Sequence, residues 1–143
     1  MAIRIVRIGA PRARNEGVRF GTVRHLPRGV TKDRYAADDW FDVWLPTLAP
    51  SAELVAAARR GAAVAAGSGV TAAGRATADR AWRRVAARYR REMMRPDARH
   101  LIEAFAALSH GTNFSVGCYC ENPERCHRSV LREILAEHGA TLA

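Results

Sequence analysis

Lysine is almost missing from this chain: Lys32 stands alone beside 22 arginines in 143 residues. Aromatic residues make up 7%, and there are three cysteines. No apolar run approaches the roughly 20 residues that cross a bilayer as a helix. The opening Met1-Ala2-Ile3-Arg4 alternates apolar and basic residues and lacks the continuous apolar stretch of a secretory signal. The expectation is a cytoplasmic protein with no membrane partner. Eleven glycines and six prolines exclude collagen and argue against wholesale disorder. At this length a chain buries roughly two-thirds of its unfolded surface, so a core forms without help from metals or disulfides. One domain over residues 1–143 follows.

What is plentiful is alanine, with 28 residues, and positive charge, +9 overall. A GC-rich coding bias accounts for arginine over lysine but not for the excess of charge. That excess favours acidic partners in general. It is concentrated in residues 1–34, net +7, and 75–99, net +6, while 35–58 is net −4.

Ile3, Ile5, Val6 and Ile8 predict a first strand over 3–8, and the alternation Val18–Arg24 a second, stopped by Pro27-Arg28-Gly29. Thr31 is a plausible cap for a helix through about 40–42, followed by an aromatic cluster of Trp40, Phe41, Trp44 and Leu45 expected in the core. Ser51 caps a helix whose Leu54, Val55, Ala58 and Ala62 share a face, ended by Gly67-Ser68-Gly69. Trp82, Val85, Tyr89 and Met93 form a buried stripe on a helix over 77–94, with arginines around the remainder. Pro96 opens a further helix with Leu101, Ile102, Phe105 and Leu108 inward. A third strand over 114–120 and a last helix over about 126–138 complete an α/β order. The predicted fold is a small, mostly parallel sheet flanked by helices, in a Rossmann-like layering.

All three cysteines fall in Cys118-Tyr119-Cys120-Glu121-Asn122-Pro123-Glu124-Arg125-Cys126-His127-Arg128. This segment joins a strand end to a helix start, where open α/β sheets bind ligands and where free amides attract anions. Four readings compete. Zinc wants about four ligands, and Cys118, Cys120, Cys126 and His127 supply them, but the familiar spacing of paired ligands is missing and the side chains are expected to diverge. A disulfide from Cys118 or Cys120 to Cys126 is transient at best in the cytosol. A phosphatase-type loop fails, because Cys126 stands where the arginine belongs. An anion-binding turn with a polarised thiol and an imidazole survives. Against all four stands a plain structural role, with Cys118 in the sheet core and His127 bonded to backbone.

The segment 118–128 resembles the signature of the domain of unknown function (DUF) 488 family, in its short YeaO-like branch. Gly21-Thr22-Val23-Arg24-His25-Leu26-Pro27-Arg28-Gly29 is similar to the Arg-x-x-Pro-Arg-Gly segment of that family. Leu48-Ala49-Pro50-Ser51 and Tyr89-Arg90-Arg91-Glu92-Met93 follow in family order. The resemblance implies an α/β fold and carries no established reaction. Val23 stands where some relatives have an Asp, so no acid is expected there; YeaO-like relatives that lack the cysteines and keep a His where His127 stands move the weight of the site towards His127 and the arginines. Residues around 61–78 read as a surface insertion against the family pattern.

The expected function is that of a small enzyme or binder for an anionic small molecule, a nucleotide or phosphorylated metabolite. Arg24, Arg28 and Arg128 would hold the anion, His127 would act as acid or base, and Cys126 as nucleophile or polar neighbour. Cys118 and Cys120 would support it or serve redox chemistry. No cofactor is expected, zinc being the alternative. A second class of function is a basic module binding nucleic acid without sequence preference, since Arg83, Arg84, Arg88 and Arg91 decorate one helix.

Overall fold

The computed structural model describes residues 1–67 and 69–143. Four parallel strands form one sheet in the order β1-β4-β2-β3, with β1 over Ile3–Arg7, β2 over Val18–Gly21, β3 over Val43–Trp44 and β4 over Phe114–Cys118. Four helices accompany it: α1 over Ala52–Ala65, α2 over Ala72–Met93, α3 over Pro96–Leu108 and α4 over His127–Glu137. The fold is a small single-domain α/β structure, as the order of elements predicts. Because every strand is parallel, all four C-terminal ends lie on one edge of the sheet.

β4 is central and every one of its residues is buried. On one of its faces, Phe114 meets Phe20 of β2 and Phe105 of α3 in a three-ring cluster with centroids 4.9–5.9 Å apart. Leu54, Tyr89, Ile102, Leu131 and Leu135 extend that core across all four helices. Residues that alternate to the opposite face, Arg19 and Ser115, meet the loop between β1 and β2. There Glu16 accepts from Arg19 Nε at 2.7 Å and from Ser115 Oγ at 2.7 Å. Arg19 Nη1 reaches the carbonyls of Ala10 and Asp39, which ties two loops to the sheet. Gly17 permits the turn into β2: its φ is +77° and a Cβ there would stand 1.9 Å from the Asn113 carbonyl.

Several boundaries differ from the sequence expectations. The helix expected over 31–42 is a single 3-10 turn, Lys32–Arg34. Thr31 makes no cap, and Asp39 adopts φ +59° with its carbonyl taken by Gly9 and Arg19. The second strand stops at Gly21, because the Val23 carbonyl accepts from Trp44 Nε1 at 2.8 Å in place of a ladder bond. β3, only two residues long, gives no sequence pattern to find. α2 begins five residues earlier than expected, capped by Thr71 Oγ1 on the Gly74 amide. Residues 61–78 are therefore mostly helical, split between the end of α1 and the start of α2. Ser68, in the stop signal after α1, lies outside the described residues. Of the aromatic cluster, Phe41 is buried but Trp44 remains 40% exposed.

Candidate functional site

The β4 strand ends at Cys118 and the chain peels from the sheet edge, closing a 3-10 turn at Pro123–Arg125 before α4. Asn122 caps that turn through its side chain on the Glu124 amide. Cys126 is the N-cap of α4, where its own side chain makes no capping bond. Its carbonyl instead accepts from the amide and hydroxyl of Ser129. The result gathers what was expected to diverge. The sulfurs of Cys118, Cys120 and Cys126 all lie within 4.8 Å of one another, with Cys118 and Cys120 3.6 Å apart. All three are free thiols, Cys118 and Cys126 buried and Cys120 exposed. Such a trio could hold a metal ion.

His127 is buried beside them. Its Nε2 lies 2.7 Å from the Thr22 carbonyl, which can only accept, so Nε2 carries the proton and Nδ1 keeps its lone pair. Nδ1 stands 3.9 Å from Cys126 Sγ. Burial holds the imidazole down at about 4, against the pull of the Thr22 carbonyl, so it is neutral at pH 7. Among the thiols the proton distribution is unequal. Cys118 donates to Cys120 and is pushed up, while Cys126 is pushed up by its neighbours Cys118 and Cys120 and by burial. Cys120 is pulled down, first by Cys118 and then by Cys126. The most acidic thiol of the cluster is therefore its one exposed sulfur.

These groups form the floor of a pocket of about 810 Å³. Its walls come from the pair α1 and α2: Leu54, Val55, Ala58 and Ala62 on one helix, Trp82, Val85 and Tyr89 on the other. The apolar stripes of both helices thus run past the core and continue as pocket wall. Val23, Leu26, Pro27, Trp40 and Tyr119 add further apolar surface. Arg24, His25, Arg28, Arg59 and Arg125 bring polar groups to the lining. Arg125 pairs with Asp79, which links the cysteine turn to α2.

The structure brings together Arg24, Arg28, Cys118, Cys120, Cys126 and His127 on one pocket, at the C-terminal edge of the sheet. Their individual settings modify the expected roles. Arg24 spends Nε on the Pro50 carbonyl and Nη2 on those of Pro46 and Ala49, holding the segment before α1 in place. Arg28 is exposed on the lining. Arg128 departs from its expected place. It does not line the pocket but is buried, 5% exposed, with Nη2 3.4 Å from the Glu121 carbonyl. Among the described residues, Arg128 Nε is the one buried side-chain nitrogen or oxygen with no partner. Cys126 is 2% exposed and holds its proton, so its geometry disfavours attack on a ligand.

Sequence reasoning missed Thr22, the anchor of His127, though it sits in the Gly21–Gly29 segment already singled out. It also missed Trp82 as wall, because a ring at helical spacing reads the same whether it meets core or ligand. On α2, Arg88 pairs with Glu53, and Arg90 with Glu133 and Glu137, so part of the basic face is neutralised within the fold. No helix among the described residues is long and apolar enough to cross a membrane.

A family model described as the active DUF488-N3 subclade matches residues 3–139. No curated protein matches, and no solved structure does.

Proposed function

The chain belongs to the DUF488 family, and from that premise we propose that it binds and acts on a small anionic molecule carrying an apolar or aromatic body. One observation carries the reading: an apolar pocket with arginines in its lining and a thiol–imidazole cluster as its floor, at the edge of a parallel sheet where such folds take ligands. The apolar walls and Trp82 suit a base or another flat ring. Arg28, with Arg24 on the same lining, suits a phosphate or carboxylate. Nucleotides and aromatic carboxylates fit better than sugar phosphates, which have no apolar body to fill the walls.

The exposed Cys120 sulfur is the group best placed to meet the reacting end of a ligand. His127 serves as a positioning residue behind Cys126, since its Nε2 is committed to Thr22. Arg128 acts from behind the turn.

Calorimetric binding against nucleotides, sugar phosphates and aromatic carboxylates tests the reading. Ala62→Trp, at an exposed position on the pocket wall, is expected to weaken every hit at least tenfold while leaving the melting temperature within a degree or two. Hits that survive both Ala62→Trp and Arg28→Ala would place the ligand elsewhere. A salt series with a random oligonucleotide tests the nucleic-acid reading. Binding that vanishes at physiological ionic strength is generic counterion release and disposes of it.

A second reading is favoured by the convergence of the three sulfurs: a zinc ion held by the cysteines at the pocket floor.

A further inference from the structure

We propose that Cys118, Cys120 and Cys126 are the complete protein ligand set of one thiophilic metal ion, whose fourth position opens into the pocket and takes the anionic end of the ligand. The inference rests on the pocket reading for that fourth ligand and on the thiols alone for the ion.

The sulfur geometry is close to what such an ion needs. A zinc–sulfur bond of about 2.3 Å in a tetrahedral site sets neighbouring sulfurs about 3.8 Å apart. Cys118 and Cys120 are already 3.6 Å apart, and no pair in the trio exceeds 4.8 Å. Side-chain rotations that draw Cys126 in by about 1 Å complete the edge lengths. Cys118 is fixed by the central strand, Cys126 by the helix start, and Cys120 lies on the turn between them, free to adjust.

The charge also balances. Three thiolates around a divalent ion carry a net charge of −1, once each thiol has released its proton to solvent. Cys126 stands at the N-terminus of α4, and the buried Arg128 lies two residues further along it. Arg128 Nη2 bonds the carbonyl of Glu121, next to Cys120, and its Nε has no other partner. A buried cation with an idle donor, two residues from one ligand and beside another, makes sense opposite an anionic metal–thiolate centre.

His127 is excluded from the ligand set. It stands outside the group whose ligand atoms all lie within 4.8 Å of one another, its Nδ1 approaching Cys126 Sγ at 3.9 Å. A Cys3His site would be closed and structural, whereas three sulfurs leave a position for exogenous ligands. That position faces the pocket, because all three cysteines line it and Cys120 is exposed there. An ion so placed would polarise a bound carboxylate or phosphate oxygen.

The test is titration of the reduced, full-length protein with cobalt(II) under anaerobic conditions. The expected result is a thiolate-to-cobalt charge-transfer band that saturates at one ion per chain. Cys120→Ser, at the exposed and least structural sulfur, should weaken cobalt affinity at least tenfold, as should Cys118→Ser and Cys126→Ser. His127→Asn should retain the band, and thiocyanate should shift the ligand-field bands of the wild-type complex. Circular dichroism melts confirm that each variant is folded before it is scored. Absence of the charge-transfer band, or its persistence in folded Cys120→Ser, overturns the site. Ligand-field bands indifferent to thiocyanate, together with a band lost in folded His127→Asn, overturn the open position in favour of a closed four-ligand site. Repeating the pocket calorimetry on chelator-treated, metal-free protein, with Ala62→Trp as control, reads failure of the pocket separately from failure of the metal site.

Discussion

Replacing Glu16 by glutamine should expose how much the fold depends on one buried ion pair. Arg19 is fully buried and Glu16 is 3% exposed. Their carboxylate and guanidinium meet twice, at 2.7 and 3.0 Å, and Glu16 also accepts from the Ala13 amide and Ser115 Oγ. Burial alone would raise the Glu16 carboxyl, but Arg19, Ser115 and the Ala13 amide outweigh it and hold the group at about 2, against an ordinary 4.5. That difference corresponds to about 3 kcal/mol of stability. The unfolded chain binds the proton first as pH falls, so this stability is complete above about pH 5. About 2 kcal/mol of it should be gone by pH 3, and the rest by pH 1. Glu16→Gln keeps the shape but leaves the Arg19 charge buried without a counterion, at a cost of about 3–5 kcal/mol at pH 7. Glu16→Gln combined with Arg19→Met should recover part of that loss, since the stranded charge is then gone. Urea unfolding of the three proteins at pH 7, 5 and 3 measures all of this. The wild type should lose about 2 kcal/mol more than Glu16→Gln between pH 5 and 3. A variant within about 1 kcal/mol of wild type at pH 7, or stability curves that run parallel through acid, would refute the reasoning.

Iodoacetamide at limiting concentration should label Cys120 before Cys118 and Cys126, because only its sulfur is exposed; peptide mass mapping that finds a buried cysteine modified first contradicts the arrangement. Tyr89→Phe removes the hydroxyl that donates to the Leu48 carbonyl at 2.7 Å and strands that carbonyl in the core. The expected loss is about 1–3 kcal/mol by denaturant titration, and an unchanged midpoint would mean that water reaches the site. Gly21→Ala places a Cβ 2.5 Å from the Phe41 ring at the end of β2. A destabilisation of about 1–3 kcal/mol follows from the overpacking, and a neutral thermal melt would show that the ring moves aside freely.

Much of the architecture is written in local sequence. The apolar spacing of Leu101, Ile102, Phe105 and of Val130, Leu131, Ile134, Leu135 determines α3 and α4, although Leu108, expected inward, is 54% exposed at the end of α3; the β-branched run at 3–8 determines β1. The Cys118–Arg128 signature points to a candidate site at a strand-to-helix turn, and to the family, before any contact is known. Tertiary structure decided everything that depends on which distant groups compete for one another. Asp39 and Val23 lost their expected helix and strand because their carbonyls are claimed by Arg19 and by Trp44 Nε1. Arg24 and Arg128, equivalent as charges in the sequence, part company: one clasps the backbone before α1, the other is buried behind the turn. The same holds for the cysteines. Alternation along a strand and the start of a helix set no distance between Cys120 and Cys126. The turn between them, capped by Asn122 and tethered through Arg125 to Asp79 on α2, closes three sulfurs into one cluster. Local pattern fixes which face a residue prefers. Only the packed chain fixes which partner it finds there, since hydrogen bonds and ion pairs between distant segments are chosen by the whole fold.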